Sequence, residues 1–144
     1  MVSHGLEVVA SGGAIERQAN ALIAKKGDEW ITAKDTADLA RGGNRAAGEI
    51  YNETGRYLGR GLSILANSLN PERIIIGGGI SLAGELLLNP VKKEFNENTM
   101  DVLRNNIEIY LSPLGQDAGV MGAIAMVLND LVFKYDLVSR HDYL

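Results

Sequence analysis

The chain has 144 residues, 46% of them hydrophobic, which suffices for one ordinary domain or for a piece of a larger one. With 18 acidic and 14 basic residues the net charge is −4, so a basic-patch grip on nucleic acid has no compositional support. The absence of cysteine excludes disulfides, a thiol nucleophile and a thiolate zinc site within these residues, and the longest apolar runs, such as Ile74-Ile75-Ile76 and Leu86-Leu87-Leu88, fall far short of the roughly 20 residues of a membrane span.

Without a basic-then-apolar signal pattern at the start, the expectation is a cytoplasmic protein with no membrane or nucleic-acid partner. Glycine is the outlying residue type, at 17 of 144 against a usual ~7%. Several glycines cluster as Gly12-Gly13, Gly42-Gly43 and Gly77-Gly78-Gly79, each beside a periodic segment, so they punctuate a fold.

In chain order, Leu6 to Lys25 carries Val9, Ile15, Ala19, Leu22 and Ile23 at mostly helical spacing, interrupted at Ser11-Gly12-Gly13. A short helix is predicted from Lys34 to Ala40, stopped by Gly42-Gly43 in a left-handed cap. Ala46 to Leu69 is the clearest amphipathic helix, with Ala47, Ile50, Tyr51, Thr54, Leu58 and Leu62 leading its apolar face and Arg56, Arg60 and Ser63 on the other. Gly48, Gly55 and Gly59 inside it each cost up to ~1 kcal/mol relative to alanine, and close approach of a neighbouring element explains them better than a ligand does. Asn70-Pro71 ends the helix, because proline disfavours a helical residue before it.

Arg73 to Ile76 reads as a strand buried on both faces. Ser81 is predicted to cap a helix from Leu82 to about Leu88, and Asn89-Pro90 a second one through about Met100. Ile107 to Leu111 alternates as a second strand, making a parallel βαβ unit. A last helix should start near Gln116 or Asp117 and run to about Leu131, with Val120, Ile124, Val127, Leu128 and Leu131 inward. Two strands are few for an α/β domain, so strands from upstream sequence or from a partner are expected to complete the sheet.

A glycine triplet between a strand and a helix lets backbone approach a ligand where helix N-terminal amides point outward. The standard nucleotide motifs fail, however. Gly77-x-Gly79-x-x-Leu82 lacks the third glycine of the dinucleotide fingerprint, and no glycine-lysine-serine/threonine follows. Spacing alone leaves a tight turn and a ligand contact both open.

Several stretches, in order, resemble the C-terminal half of the ROK family of ATP-dependent sugar kinases, repressors and open reading frames. They are Leu6-Glu7-Val8-Val9-Ala10-Ser11-Gly12; Gly59-Arg60-Gly61-Leu62 with the run Asn70 to Ser81; and Leu114-Gly115-Gln116-Asp117-Ala118-Gly119 with Gly122-Ala123. The resemblance covers about Leu6 to Leu128. It implies an α/β fold, part of a ribonuclease-H-like (actin-like kinase) lobe, with residues 1–132 as that lobe and 133–144 as a tail. It also implies ATP and Mg2+ as cofactors and a hexose or N-acetylhexosamine, phosphorylated at its 6-hydroxyl, as substrate.

By this resemblance Glu7 matches the glutamate that hydrogen-bonds sugar ring hydroxyls, a task suited to an ionised carboxylate. Its alternative is an acid favouring the positive end of a helix dipole. Gly77, Gly78 and Gly79, with Ser81 nearby, match the turn against adenosine and phosphate, while Asp117 reads as a helix cap. The family's zinc segment ends in glycine-cysteine-leucine-glutamate, where this chain has His4-Gly5-Leu6-Glu7. The last zinc cysteine is glycine, and His4 alone makes no structural site.

The resemblance further places the N-terminal phosphate loop, the aspartate base and the sugar-reading glutamate-histidine pair in a part with no counterpart here. The expectation is one wall of a kinase cleft, inactive alone, that requires the missing N-terminal lobe. The alternative is a non-catalytic sugar-sensing, regulatory or dimerisation module. An incomplete sheet and apolar helix faces favour a homo-oligomer.

Overall fold

A computed structural model describes residues 5–25 and 29–129. His4, Leu131 and the expected tail at 133–144 lie outside the described residues. The first segment is two helices, α1 (Leu6–Val9) and α2 (Gly12–Leu22), because Ser11 turns extended and caps α2, its Oγ accepting from Ala14 N at 3.2 Å. The irregularity expected at Ser11 to Gly13 is thus a fresh helix start.

Helix α3 (Ala33–Arg41) opens on a capping box: Asp35 N donates to Thr32 Oγ1, and Thr32 N donates to the Asp35 carboxylate. At its end Gly43, rather than Gly42, takes the left-handed conformation. Helix α4 (Arg45–Leu69) is capped by Asn44 and ends on Asn70 at φ 44, the left-handed geometry that turns the chain into Pro71.

Strand β1 (Arg73–Ile76) and strand β2 (Glu108–Leu111) pair in parallel, with Arg73 opposite Glu108 and Ile76 opposite Leu111. Burial of β1 on both faces is not observed. Ile76 and Ile109 join the core, whereas Ile75 is 67% exposed, because among the described residues helices pack on one side of the pair only.

Between the strands, Gly79–Ala83 is a 3-10 segment, followed by α5 (Glu85–Asn98) and the short α6 (Asp101–Arg104). This corrects two expectations. Ser81 is not a helix cap, since its hydroxyl donates back to Gly78 O at 2.8 Å. Nor does Asn89-Pro90 begin a helix, since Pro90 lies inside α5. Proline there forfeits one backbone bond, and its ring is seated against Gly55 of α4, where a Cβ would come within 2.5 Å of Pro90 Cγ.

The α4–α5 pair forms the centre of the molecule. Among the described residues the largest fully buried side chains are Tyr51, Phe95, Ile50, Leu87 and Val91 of this pair and Ile15 of α2. Gly55 and Gly59 provide the close approach expected of them, but Gly48 faces open space. The polar face of α4 is also used: Ser63 is buried, while Arg56 and Arg60 reach across to Glu94 of α5, Arg60 Nη2 at 2.7 Å and Arg56 Nε at 3.3 Å.

Burial of the Glu94 carboxyl pushes its pKa up, and the hydrogen bonds from the two arginines outweigh that, leaving it below the ordinary glutamate range. A depressed folded-state value contributes stability above the unfolded pKa of ~4.3 that is lost as pH falls through the folded value. Urea midpoints of the parent and Glu94→Gln should therefore differ at pH 7 and converge near pH 3. An unchanged gap at the two pH values would assign the effect to packing.

Helix α7 (Ala118–Leu128) follows a 3-10 turn at Gly115–Asp117. Its expected inward residues are not buried: Val120 is 63% exposed, and Ile124, Val127 and Leu128 are exposed too. Asp117 occupies the N-cap position but makes no side-chain cap bond, its backbone being already helical. No described helix is long and apolar enough to cross a membrane.

Candidate functional site

The sites inferred from sequence fall at two places. Gly77 to Gly79 form the exit from β1, and Gly78 takes φ 81 and ψ −178, a backbone region essentially restricted to glycine. Gly77 has ordinary backbone, with Ser112 Cβ at 3.7 Å from a notional Cβ. Ser81 is 6% exposed, and both its amide and its hydroxyl donate to Gly78 O, so its side chain shapes the turn from within. Glu7 lies apart, exposed in the first turn of α1. That helix is anchored by Leu6, whose side chain rests on Gly61 of α4.

Gly79 opens onto a cavity of about 660 Å³ between α2, α3 and the 3-10 segment. Its apolar lining includes Ala37, Tyr51, Ile80 and Ala83, and its polar lining includes Glu16, Thr32, Lys34, Asp38 and Arg41. An apolar seat with a few converging polar groups, at this size, suits a small organic ligand such as a nucleoside. Glu7 does not line it. Gly12 at the start of α2 does, with Ile80 Cγ2 3.9 Å from its notional Cβ.

Each polar group is placed by the elements around it. Glu16 of α2 accepts from Ala33 N at 3.2 Å, which fixes the start of α3. Asn20 seconds this, exchanging hydrogen bonds with both backbone groups of Ile31. Tyr51 of α4 is buried, and its hydroxyl donates to Ala33 O at 2.7 Å. Burial drives the Tyr51 pKa up to about 12; nearby Arg41 pulls it down, and Asp38 and Glu16 push it further up. The hydroxyl therefore stays protonated and remains a donor.

Asp38 is held below the ordinary aspartate range, chiefly by a hydrogen bond from Lys34 and that lysine's charge, with Arg41 adding to both. The charged residues of α3 that line the cavity were not singled out by sequence reasoning. Lys34, Asp38 and Arg41 at helical spacing look like any solvated surface, and no local signal tells that Arg41 meets the carbonyls of the 3-10 segment. Among the described residues no three histidine, aspartate or glutamate side chains converge where they could hold a metal ion.

The ROK family model matches residues 3–130 of this chain. The glucokinase of Halalkalibacterium halodurans is 35% identical over 119 residues, covering 82% of this chain and 36% of the relative. The transcriptional dual regulator NagC of Escherichia coli is 29% identical over 139 residues, covering 90% of this chain and 34% of the regulator. A solved ROK family glucokinase from Streptomyces griseus, in complex with glucose and AMPPNP, matches at a TM-score of 0.74 and 32% identity, over 84% of this chain and 43% of that one.

The chain thus spans less than half the length of each. The fold inferred from the resemblance, part of an actin-like sugar-kinase lobe rich in helix and with a small parallel sheet, is the fold found in these neighbours. Both enzymes and regulators are built on it, and with the match running through nearly every described residue, the chain belongs to the ROK family.

Proposed function

We propose that residues 1–132 are the C-terminal lobe of an ATP-dependent sugar kinase, with the cavity at Gly79 as its nucleoside seat and residues 133–144 as a tail. The observation that carries this reading is the cavity itself. It opens from the glycine turn of a chain similar to a glucokinase whose structure holds glucose and AMPPNP.

When bound, ATP with Mg2+ supplies the phosphoryl group for a sugar hydroxyl. The residues of this chain do three things in that reaction. Ala37, Tyr51 and Ile80 offer the base and ribose an apolar seat, and Gly79, where the Gly77 to Gly79 turn meets the cavity, lets backbone lie close to the ligand. Glu7, exposed on α1, accepts hydrogen bonds from sugar hydroxyls and so orients the acceptor. The general base belongs to the remaining part of a full-length ROK protein. That part also covers the bare face of Ile75 and Tyr110 and the apolar helix α7, and excludes water when the two lobes close.

Two measurements test this. ADP titrated into the chain should change the fluorescence of Trp30, the sole tryptophan, whose indole nitrogen lies 3.5 Å from Glu16 at the cavity edge. A coupled assay with glucose and ATP should detect no turnover by the chain alone. Sugar-dependent ADP release by the purified polypeptide would overturn the assignment of the base to another part. Absence of ADP binding would favour the second reading, a regulatory sugar-sensing module, which the similarity to NagC supports. Light scattering adds a further distinction: a dimer of the isolated chain would point to a second copy, instead of the other lobe, as the cover of the bare faces.

A further inference from the structure

The outer wall of the cavity is the five-residue 3-10 segment Gly79–Ala83, and a glycine of positive φ stands at either end of it, Gly78 at φ 81 and Gly84 at φ 65. Neither glycine has another heavy atom within 4 Å of where a Cβ would stand, so packing at these two joints does not fix the angle of the wall. A short 3-10 helix also ends with carbonyls that its own amides do not reach.

Two of those carbonyls, Leu82 O and Ala83 O, accept from Nη2 of Arg41, each at 3.2 Å. The other arm of the same guanidinium donates to Asp38 Oδ1 at 2.9 Å, and Asp38 in turn accepts from Lys34 Nζ at 3.1 Å. The planar fork therefore joins α3 to the wall across the cavity, and all of these residues line it. Lysine, a point charge without the fork, cannot satisfy both carbonyls and the carboxylate in the same geometry.

We propose that Arg41 is a positioning residue for nucleotide binding: by tying Leu82 O and Ala83 O to α3 it sets the width of the cavity. This rests on the nucleoside reading of the cavity, and its consequences divide into one that needs a ligand and one that does not. The ligand-free consequence concerns the amides of Ser81 and Gly84, which close the 3-10 segment through Gly78 O and Ser81 O, each at 3.1 Å.

The test compares the parent, Arg41→Met and Arg41→Lys by hydrogen exchange, urea midpoint and ADP titration followed by Trp30 fluorescence. In Arg41→Met the Ser81 and Gly84 amides should exchange about tenfold faster, ADP should bind about tenfold more weakly, and the urea midpoint should stay near that of the parent. Arg41→Lys should recover part of both losses. Parent-like exchange at Ser81 and Gly84 in Arg41→Met would overturn the positioning role whether or not ADP binds. Faster exchange with unchanged ADP affinity would overturn its link to binding. A parent that binds no ADP would overturn the nucleoside reading and the binding role with it, while the exchange result still decides whether Arg41 holds the wall.

Discussion

Gly59→Ala is expected to destabilise the chain by about 2 kcal/mol, whereas Gly48→Ala, eleven residues earlier in the same helix, should stabilise it by about 0.5–1 kcal/mol. Alanine is the better helix former at both positions, by up to ~1 kcal/mol, so only the surroundings can set the sign. At Gly48 a Cβ meets nothing within 4 Å. At Gly59 it would stand 2.5 Å from Val91 O and 3.1 Å from Phe95 N, and both are backbone atoms of α5. Backbone cannot step aside as a flexible side chain does, so α5 must shift as a unit and carry Phe95 and Val91 out of their packing. Gly55→Ala should resemble Gly59→Ala, because the rigid Pro90 ring is what its Cβ would strike. Urea unfolding of the three variants measures this directly, and equal shifts at positions 48 and 59 would refute a close-approach role for Gly59.

The same contrast marks how far the sequence could be read. Helices α3 and α4 and both strands were legible, because caps, periodicity and β-branched runs are local signals and their boundaries agree with the structure to within about a residue or two. The passage from Gly79 to Asn98 was misread because Ser81 and Pro90 both carry strong helix-start signals. Tertiary contacts override both: Ser81 bonds inward to Gly78, and Pro90 fits the space left by Gly55. Burial of β1 and α7 was misjudged for a different reason. Hydrophobic pattern tells that a face wants cover but not which polypeptide supplies it. At the candidate site the glycine turn was legible and the opposite wall was not, because Arg41, paired with Asp38, gains its meaning only when the 3-10 segment, some forty residues on, comes to rest against it.

Gly78→Ala should both destabilise the chain by about 1–3 kcal/mol and abolish ADP binding, while Gly77→Ala leaves both nearly unchanged. The triplet looks uniform in sequence, but its backbone is not. Gly78 sits at φ 81 and ψ −178, where an L side chain is strained wherever it points, and open space around its notional Cβ offers no relief because the strain is internal to the residue. The chain can escape only by rotating Gly78, and that rotation moves the 3-10 segment starting at Gly79. The wall then leaves the place where Gly78 O receives the Ser81 hydroxyl and amide and where Leu82 O and Ala83 O meet Arg41. Gly77 has ordinary backbone, and its Cβ would rest 3.7 Å from Ser112 Cβ, a normal contact. Paired urea midpoints and ADP titrations of the two variants separate turn geometry from the mere presence of glycine. If Gly77→Ala lost ADP binding at unchanged stability, the ligand would lie against Gly77 itself, and the nucleoside seat would extend from the cavity toward β1.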